Sequence, residues 1–460
     1  MLLQTAAGGR VAGKEYFMKR KTKKLLALFI CICLMLSTAA CGHENASEIS
    51  ELSAETSQEE KKQNDKEAEE AVKNLEKMKD TSDKVKDVSM ELFKESVSEG
   101  KNSMISPVSI LMAMAMAENG AAAGSRKQIE KAFGCTTKEL SDWLKNWMTA
   151  LKTGRNTKMN VANSFWFRDT EGLKIKENYL KTIKDCLDAQ AYKAPFDAGT
   201  RGTINNWCNE NTYGMIKKVI DEISPDDMAI IVNATAFEGA WLVPYEEYQV
   251  EEGESFYTED GSEEKADMLY SEEGFYIEGN IGENKVTGVK KSYKDGYSFV
   301  ALLPEEGTAV ADCVKDLDGS TFRGLIENGR YEKVKTALPE FTSEYTVDNL
   351  INTFEKMGIK DIFSPDMADL SDMATAGAPG GDAAYNLYIS KILHKTFIEV
   401  NRKGTRAAAV TEMVAGCTSM PRPEEMHTVR LDRPFIYAII DDVTATPIFI
   451  GTVMSVADGK

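Results

Sequence analysis

Apolar positions along the chain recur with two periods. From Val85 to Ser96 they fall at helical spacing and predict an amphipathic helix. Ser106 to Met116, SPVSILMAMAM, is apolar on every side and predicts a buried helix. Ser106 is a natural cap there, and Pro107 suits the first turn, where a missing N–H costs nothing. Ile204, Trp207 and Cys208 extend helical spacing over Thr203 to Ile220. Met228 to Phe237 and Tyr297 to Pro304 are unbroken apolar runs bounded by turn residues, which predicts buried strands. Leu387 to Val400, Arg433 to Ile440 and Thr446 to Val456 are apolar and β-rich. No repeat period appears. Helical patterns dominate early and strand patterns late, so the reading is a mixed α+β domain rather than a βαβ series.

The first part of the chain does not fit this pattern. Lys19, Arg20, Lys21, Lys23 and Lys24 form a basic stretch, and Leu25 to Leu36 an apolar one too short to span a bilayer. Residues 18–40 are read as a signal peptide beginning at Met18. Residues 1–17 are read as a leader outside the translated protein, because Gly13-Lys14-Glu15 can be encoded by a ribosome-binding sequence. Thr38-Ala39-Ala40-Cys41-Gly42 resembles a bacterial lipobox. That resemblance implies a lipidated Cys41 at the mature N-terminus, and ordinary secretory cleavage nearby is the other reading. Residues 41–81 are rich in Glu, Ser and Lys and poor in aromatics, which predicts a flexible acidic tether with some helical character from Ala68 to Met78. As a flexible coil it reaches roughly 35 Å. Residues 82–460 are the folded domain.

A net charge of −18 argues against nucleic acid, polyanions and anionic membrane surfaces as partners, and any membrane contact is through the N-terminal lipid alone. Of eight cysteines, Cys31, Cys33 and Cys41 belong to the export segment. Cys135, Cys186, Cys208, Cys313 and Cys417 are scattered without a CxxC pair, which fits neither a disulfide framework nor a zinc site, and the first four are expected as core thiols. There are three histidines: His43 in the tether, His427 in a polar stretch, and His394 among apolar residues, where a satisfied core histidine is expected. A Cys417–His394 pair lacks the context that activates a thiol. No HExxH, GxSxG or phosphate loop occurs, and GAPGG at 377–381 is a plain loop. A hydrolase needs a nucleophile with a base, and no such pair is present, so the chain is not read as an enzyme and needs no cofactor or metal.

Several segments carry a specific resemblance. They are Asn102 to Gln128, Ile204-Asn205-Asn206-Trp207 with Thr212 and Gly214, Asn233-Ala234 through Phe237, Gly239, Trp241 and Pro244, and Leu387 to Thr405, LYISKILHKTFIEVNRKGT. Arg433-Pro434-Phe435 and Pro447 to Gly451 complete the series. In this order they resemble the signature segments of serpins. The resemblance implies a fold of several helices around three β-sheets with an exposed reactive-centre loop. It implies inhibition of serine proteases, with papain-like cysteine proteases as a second target class, by a monomer. A protease cuts the loop, the loop inserts into the main sheet as a new strand, and the acyl-enzyme is trapped. A non-inhibitory binding or adhesion module on the cell surface is the alternative.

The loop composition tests this independently. A strand entering mid-sheet presents alternate residues to the core. Thr405, Ala407, Ala409, Thr411, Met413 and Ala415 form one uncharged, mostly small set, while Arg406 and Glu412 both fall in the other with Ala408, Val410, Val414 and Gly416. No proline occurs from Gly404 to Thr418, so each residue can donate to a ladder. By the family's spacing the hinge is Gly404, Thr405, Arg406, Ala407, Ala408 and Ala409, and the reactive bond Thr418–Ser419, with Cys417–Thr418 as the alternative. Beyond it the loop is about five residues longer than common. Small residues at the bond suit elastase-like or subtilisin-like proteases, and Cys417 beside it is open to oxidation. Ser106, Ser109, Asn233 and His394 match the family's shutter, and Trp241 its breach tryptophan. Where the family carries an acid two residues before Gly404 and a base after Leu338-Pro339, this chain has Arg402 and Glu340, which predicts a charge-reversed salt bridge at the top of the sheet.

Overall fold

The computed structural model describes residues 58–152, 158–347, 350–376, 387–405 and 426–457. These lie in one compact unit. Helices α1 (Gln58–Lys77) and α2 (Lys79–Ser96), strand β1 (Ser103–Ile105) and helices α3 (Pro107–Gly120), α4 (Ala123–Phe133) and α5 (Thr137–Lys152) come first. Then follow β2 (Lys158–Arg168), β3 (Leu173–Ile175), α6 (Glu177–Leu187), β4 (Gln190–Ala194), α7 (Ala198–Asn211) and β5 (Ala229–Ala240). A strand-rich stretch holds β6 (Val250–Tyr257), β7 (Glu263–Glu273), β8 (Tyr276–Ile281), β9 (Asn284–Ser292) and β10 (Tyr297–Pro304). Helices α8 (Val310–Asp316) and α9 (Gly319–Glu327), strands β11 (Val334–Pro339) and β12 (Phe341–Thr346), α10 (Leu350–Lys356) and β13 (Ala374–Ala376) lead to the last strands. These are β14 (Lys391–Leu393), β15 (Lys395–Asn401), β16 (Gly404–Thr405), β17 (His427–Arg430), β18 (Phe435–Asp441) and β19 (Pro447–Val453).

Three sheets carry the architecture, with a fourth of two short strands, β13 and β3. The main sheet runs β12-β15-β16-β5-β2-β4 with β14 beside β5; a second runs β1-β19-β18-β10-β9-β8; a third runs β17-β11-β7-β6. Helix α3, apolar on all sides as its sequence predicts, is buried along almost its whole length and packs against both β5 and β19. It therefore joins the main sheet to the second one. Ala229, Ile231 and Phe237 of β5 belong to this large core, while the alternate residues Ile230, Val232 and Ala234 belong to a smaller one under α7 with Ile204, Trp207 and Cys208. The main sheet is thus covered on both faces, which is why β5 reads as a continuous apolar run.

Three expectations change. Of the tether read over residues 41–81, residues 41–57 lie outside the described ones; from Gln58 on, the helical character expected from Ala68 to Met78 is part of a longer packed helix, α1, whose Ala71 and Leu75 are 3% and 2% exposed. Ala68, Ala71, Val72 and Leu75 recur at helical spacing, and this narrow stripe of small side chains lets α1 lie close on α5, with the Asn74 amide donating to Asn146 Oδ1 at 3.2 Å. Its polar face dominates the composition, which hid the stripe. The helix expected to run to Ile220 ends at Asn211. Its start is a reciprocal capping box between Asp197 and Thr200. After it, Tyr213 and Gly214 take left-handed backbone (φ 52° and 77°), and the Asn205 side chain accepts from the Val219 and Ile220 N–H groups at 2.8 and 3.0 Å. Ile216 and Ile220 still reach the smaller core, but from an irregular segment. Among the expected core thiols, Cys135, Cys208 and Cys313 are buried, and burial pushes the first two up to about 12 and the third to about 11; Cys186 is only half-buried.

Candidate functional site

The main sheet is divided along part of its length. Near one end β14 pairs in parallel with β5, Lys391 to Leu393 against Ile230 to Val232. Near the other end the two-residue strand β16 lies between β5 and β15: Thr405 faces Gly239 on one side and Val400 on the other. Between these rungs, among the described residues, no ladder joins Asn233–Glu238 of β5 to 394–399. The result is a lane in mid-sheet, closed at both ends.

At the upper end the close approach of β16 to β5 dictates the residue types. Gly404 has φ 147°, and a Cβ there would stand 2.1 Å from the Gly239 carbonyl oxygen, so only glycine fits. Thr405, 1% exposed, turns inward and shares a 2.6 Å hydrogen bond with the Tyr293 hydroxyl. Trp241 is fully buried and stacks on Tyr293 with centroids 4.4 Å apart. Its indole N–H donates to the Asn401 carbonyl at 2.9 Å, and its backbone N–H to the Lys403 carbonyl at 3.1 Å. Trp241 thus holds the turn that delivers Gly404. Glu340 Oε1 accepts from the Arg402 backbone N–H at 2.8 Å and lies 3.5 Å from its Nε, so the structure joins the two residues predicted to pair. Arg402 also reaches Glu247 at 3.7 Å.

Two residues here escaped the sequence. Lys291, 6% exposed, pairs with Glu273 at 2.6 Å and sets its ammonium 4.4 Å from the Tyr245 ring and 5.5 Å from the Trp241 ring. A lysine within a strand pattern reads as solvent-facing, and nothing local in the chain marks its partners.

At the lower end, polar groups line the core side of the lane. Ser109 of α3 donates to Asn233 Oδ1, and the Thr235 hydroxyl lies 2.9 Å from Ser109 Oγ. The Asn233 amide donates to Asn163 Oδ1 at 2.5 Å, and Asn163 in turn donates to the Leu187 carbonyl at 2.7 Å. On the opposite bank His394 Nε2 accepts the Ser106 backbone N–H at 3.1 Å. That bond requires a neutral ring, and burial pushes its pKa down to about 3. His394 is therefore a structural acceptor and not a base. Extending the parallel register of β14 and β5 puts His394 directly across from Asn233. Asn163 and Thr235 were not singled out from the sequence; their signal was a polar residue at an inward position of an apolar strand. Ser106 Oγ is buried without a hydrogen-bond partner among the described residues, so its role is through its backbone N–H.

The remaining sequence-predicted positions, Arg406, Ala407, Ala408, Ala409, Cys417, Thr418, Ser419 and Cys41, lie outside the described residues.

The site is thus a helix-backed main sheet divided by a lane, with a glycine strand seated at its mouth and a polar cluster at its foot. The chain belongs to the serpin family: the family model described as "Serpin (serine protease inhibitor)" matches residues 83–456. Members of the family are generally serine protease inhibitors and not catalysts, and the chain is not an enzyme. An uncharacterized serpin-like protein of Thermococcus kodakarensis is 27% identical over 380 residues, 81% of this chain and 84% of that one. The solved native structure of the thermophilic serpin tengpin is 40% identical, with a TM-score of 0.74 over 81% of this chain and 94% of that one. Tengpin's latent structure, at 37% identity, gives 0.69 over 82% and 98%. The serpin fold expected from the sequence is the fold observed.

Proposed function

We propose that the chain is a suicide-substrate inhibitor of serine endopeptidases, exported and held at the extracellular face of the cell membrane through Cys41. The observation that carries the mechanism is the register of the lane. Continuing the pairing of Thr405 with Gly239 and Val400 brings Ala407 between Phe237 and Ile398, Ala409 between Thr235 and Thr396, and Thr411 between Asn233 and His394. The residues that turn to the core are then the small, uncharged set of the loop, and residues 406–411 span the lane from rung to rung. The opposite face agrees: Arg406 comes between Glu238 and Glu399. Cleavage at Thr418–Ser419, or at Cys417–Thr418, leaves enough chain on the hinge side to fill the lane. The small residues at the bond favour elastase-like or subtilisin-like targets.

Insertion is not driven by hydrogen bonds alone. Each new backbone bond contributes a net ~1 kcal/mol, and ordering each residue costs ~1–2 kcal/mol, so the two nearly cancel. Burial of the inward side chains and closure of the divided sheet supply the remainder.

The test is to mix residues 42–460 with pancreatic elastase and with subtilisin. Expected is a covalent complex that survives SDS, with a released peptide beginning at Ser419. Cleavage without a complex would instead assign the chain to the non-inhibitory, binding class of the family.

A further inference from the structure

A buried lysine and glutamate stand where two sheets meet beside the mouth of the lane. Lys291 belongs to β9 of the second sheet and Glu273 to β7 of the third. Lys291 is 6% exposed, and its ammonium pairs with Glu273 Oε1 at 2.6 Å. The same oxygen accepts the Ser271 hydroxyl at 2.6 Å. Taking both charges out of water costs about as much as their attraction returns, so apolar groups of similar shape can often replace such a pair without loss of stability. Stability alone therefore does not explain the pair.

Its surroundings do. Three aromatic residues grip the chain as it enters β16. The Trp241 indole N–H donates to the Asn401 carbonyl at 2.9 Å, the Tyr245 backbone N–H to the Arg402 carbonyl at 3.0 Å, and the Trp241 backbone N–H to the Lys403 carbonyl at 3.1 Å. Tyr293, stacked on Trp241, holds the Thr405 hydroxyl. Three successive carbonyls and the threonine of β16 are thus held together. Residues 242–246 between Trp241 and Tyr245 form neither helix nor strand, so no ladder sets the spacing of those two rings. Lys291 Nζ lies 4.4 Å from the Tyr245 ring centre and 5.5 Å from that of Trp241. A cation over two ring faces is attracted to both, and more strongly out of water. Trp241 is fully buried and Tyr245 nearly so, which keeps solvent from screening the attraction.

We propose that Lys291, anchored by Glu273, is a positioning residue for strand insertion: its ammonium holds the Trp241 and Tyr245 rings at the spacing that seats the turn 401–403 and starts β16 in register. The use of this seat rests on the insertion mechanism proposed above, but the seat itself is measured with no protease present.

The variant Lys291→Met/Glu273→Gln removes both charges and keeps both shapes, and the glutamine oxygen can still accept from Ser271. In residues 42–460, which hold the whole compact unit, hydrogen exchange reads the seat. The amides of Trp241, Tyr245 and Arg402 to Thr405 should exchange about tenfold faster in this variant than in the parent. Its urea midpoint should hold or rise, whereas a merely structural pair would lower it. Tyr245→Leu, which takes away one ring and leaves the pair, should loosen the same amides. Lys291→Arg keeps a cation over the rings and should exchange as the parent does. With elastase or subtilisin, the ratio of trapped to simply cleaved inhibitor should fall severalfold in the charge-free variant at an unchanged cleavage rate. Unchanged exchange at these amides overturns the proposal, and so does a general acceleration that follows a lower midpoint. Equal acceleration in Lys291→Arg overturns it as well, since packing and not the cation would then set the seat. A loosened seat with an unchanged trapping ratio overturns the link to insertion. A parent that traps neither protease removes the inhibitory reading alone, and the exchange comparison still decides the seat.

Discussion

At the scale of single residues, what holds the mouth of the lane is a set of groups that each satisfy two needs. Glu340 receives the Arg402 backbone N–H as well as facing its guanidinium, whereas Arg402 shares itself between Glu340 and Glu247. The side chains are 25% and 32% exposed, so their Coulomb attraction is screened and is worth about 0.2–1 kcal/mol. Removing Glu340 also leaves a turn amide without its acceptor. Glu340→Ala should therefore destabilise the protein by about 1 kcal/mol more than Arg402→Ala, and a double-mutant cycle should give a coupling below about 1 kcal/mol. Equal single effects and no coupling in urea denaturation would remove Glu340 from this role. The pairing of these two residues was legible in the sequence through their reversed order against the family pattern. The second acceptor role of Glu340 was not, because it depends on a backbone amide that only the folded turn delivers.

At the scale of elements, the short strand β16 is where local geometry meets the proposed mechanism. Its glycine is required twice over, by φ 147° and by the 2.1 Å approach to the Gly239 carbonyl. A Gly404→Ala side chain cannot be accommodated unless β16 leaves β5. Strain of at least about 1 kcal/mol follows, a factor of about five in any step that begins from the seated strand. With elastase or subtilisin, the ratio of trapped complex to simply cleaved inhibitor should fall at least about fivefold in Gly404→Ala, at an unchanged cleavage rate. An unchanged ratio would show that insertion does not start from the seated β16. The sequence marked α3, β5 and β10 well because burial on every side leaves an unmistakable apolar run. It saw helical character from Ala68 to Met78 but missed how far α1 extends and that it packs, because a helix needs only a narrow stripe to dock when the residues are as small as Ala68 and Ala71. It overran α7 because the apolar spacing continued while the backbone, held by Asn205, did not.

At the scale of the whole molecule, two buried ionisable groups shape stability against pH in opposite directions. His394 is held neutral, its pKa pushed down to about 3 by burial. The unfolded chain takes up a proton below about 6.5, so this contribution is present above that pH and is lost as pH falls towards 3. Glu118 near the end of α3 is fully buried, one oxygen accepting from Thr137 at 3.1 Å and the other without a partner among the described residues. Burial pushes its carboxyl up to about 8. Its contribution is complete below the unfolded value near 4.5 and is lost as pH rises through 8. Each group alone changes stability by at most about 1.4 kcal/mol per pH unit within its window. Urea midpoints should therefore peak between roughly pH 4.5 and 6.5 as far as these two groups decide it. Glu118→Gln should remove the fall between about 6.5 and 8 while leaving the acid limb in place, and a retained fall would assign the alkaline loss to other groups.

The sequence by itself determined the family, the class of fold and the alternation of the loop, because each of these is written in local order: signature segments in succession, unbroken apolar runs, and a period of two with both charges on one side. It also identified most of the residues at the two ends of the lane. Only the tertiary structure decided that a lane exists at all, since it arises from two strands that pair at their ends and part between them. It alone joined Lys291 to Glu273 beneath Trp241, linked Asn163 and Thr235 to Asn233 and Ser109, and brought Tyr331 and Phe275 together. Those are contacts between positions far apart in the chain, and no local pattern encodes the distance between them.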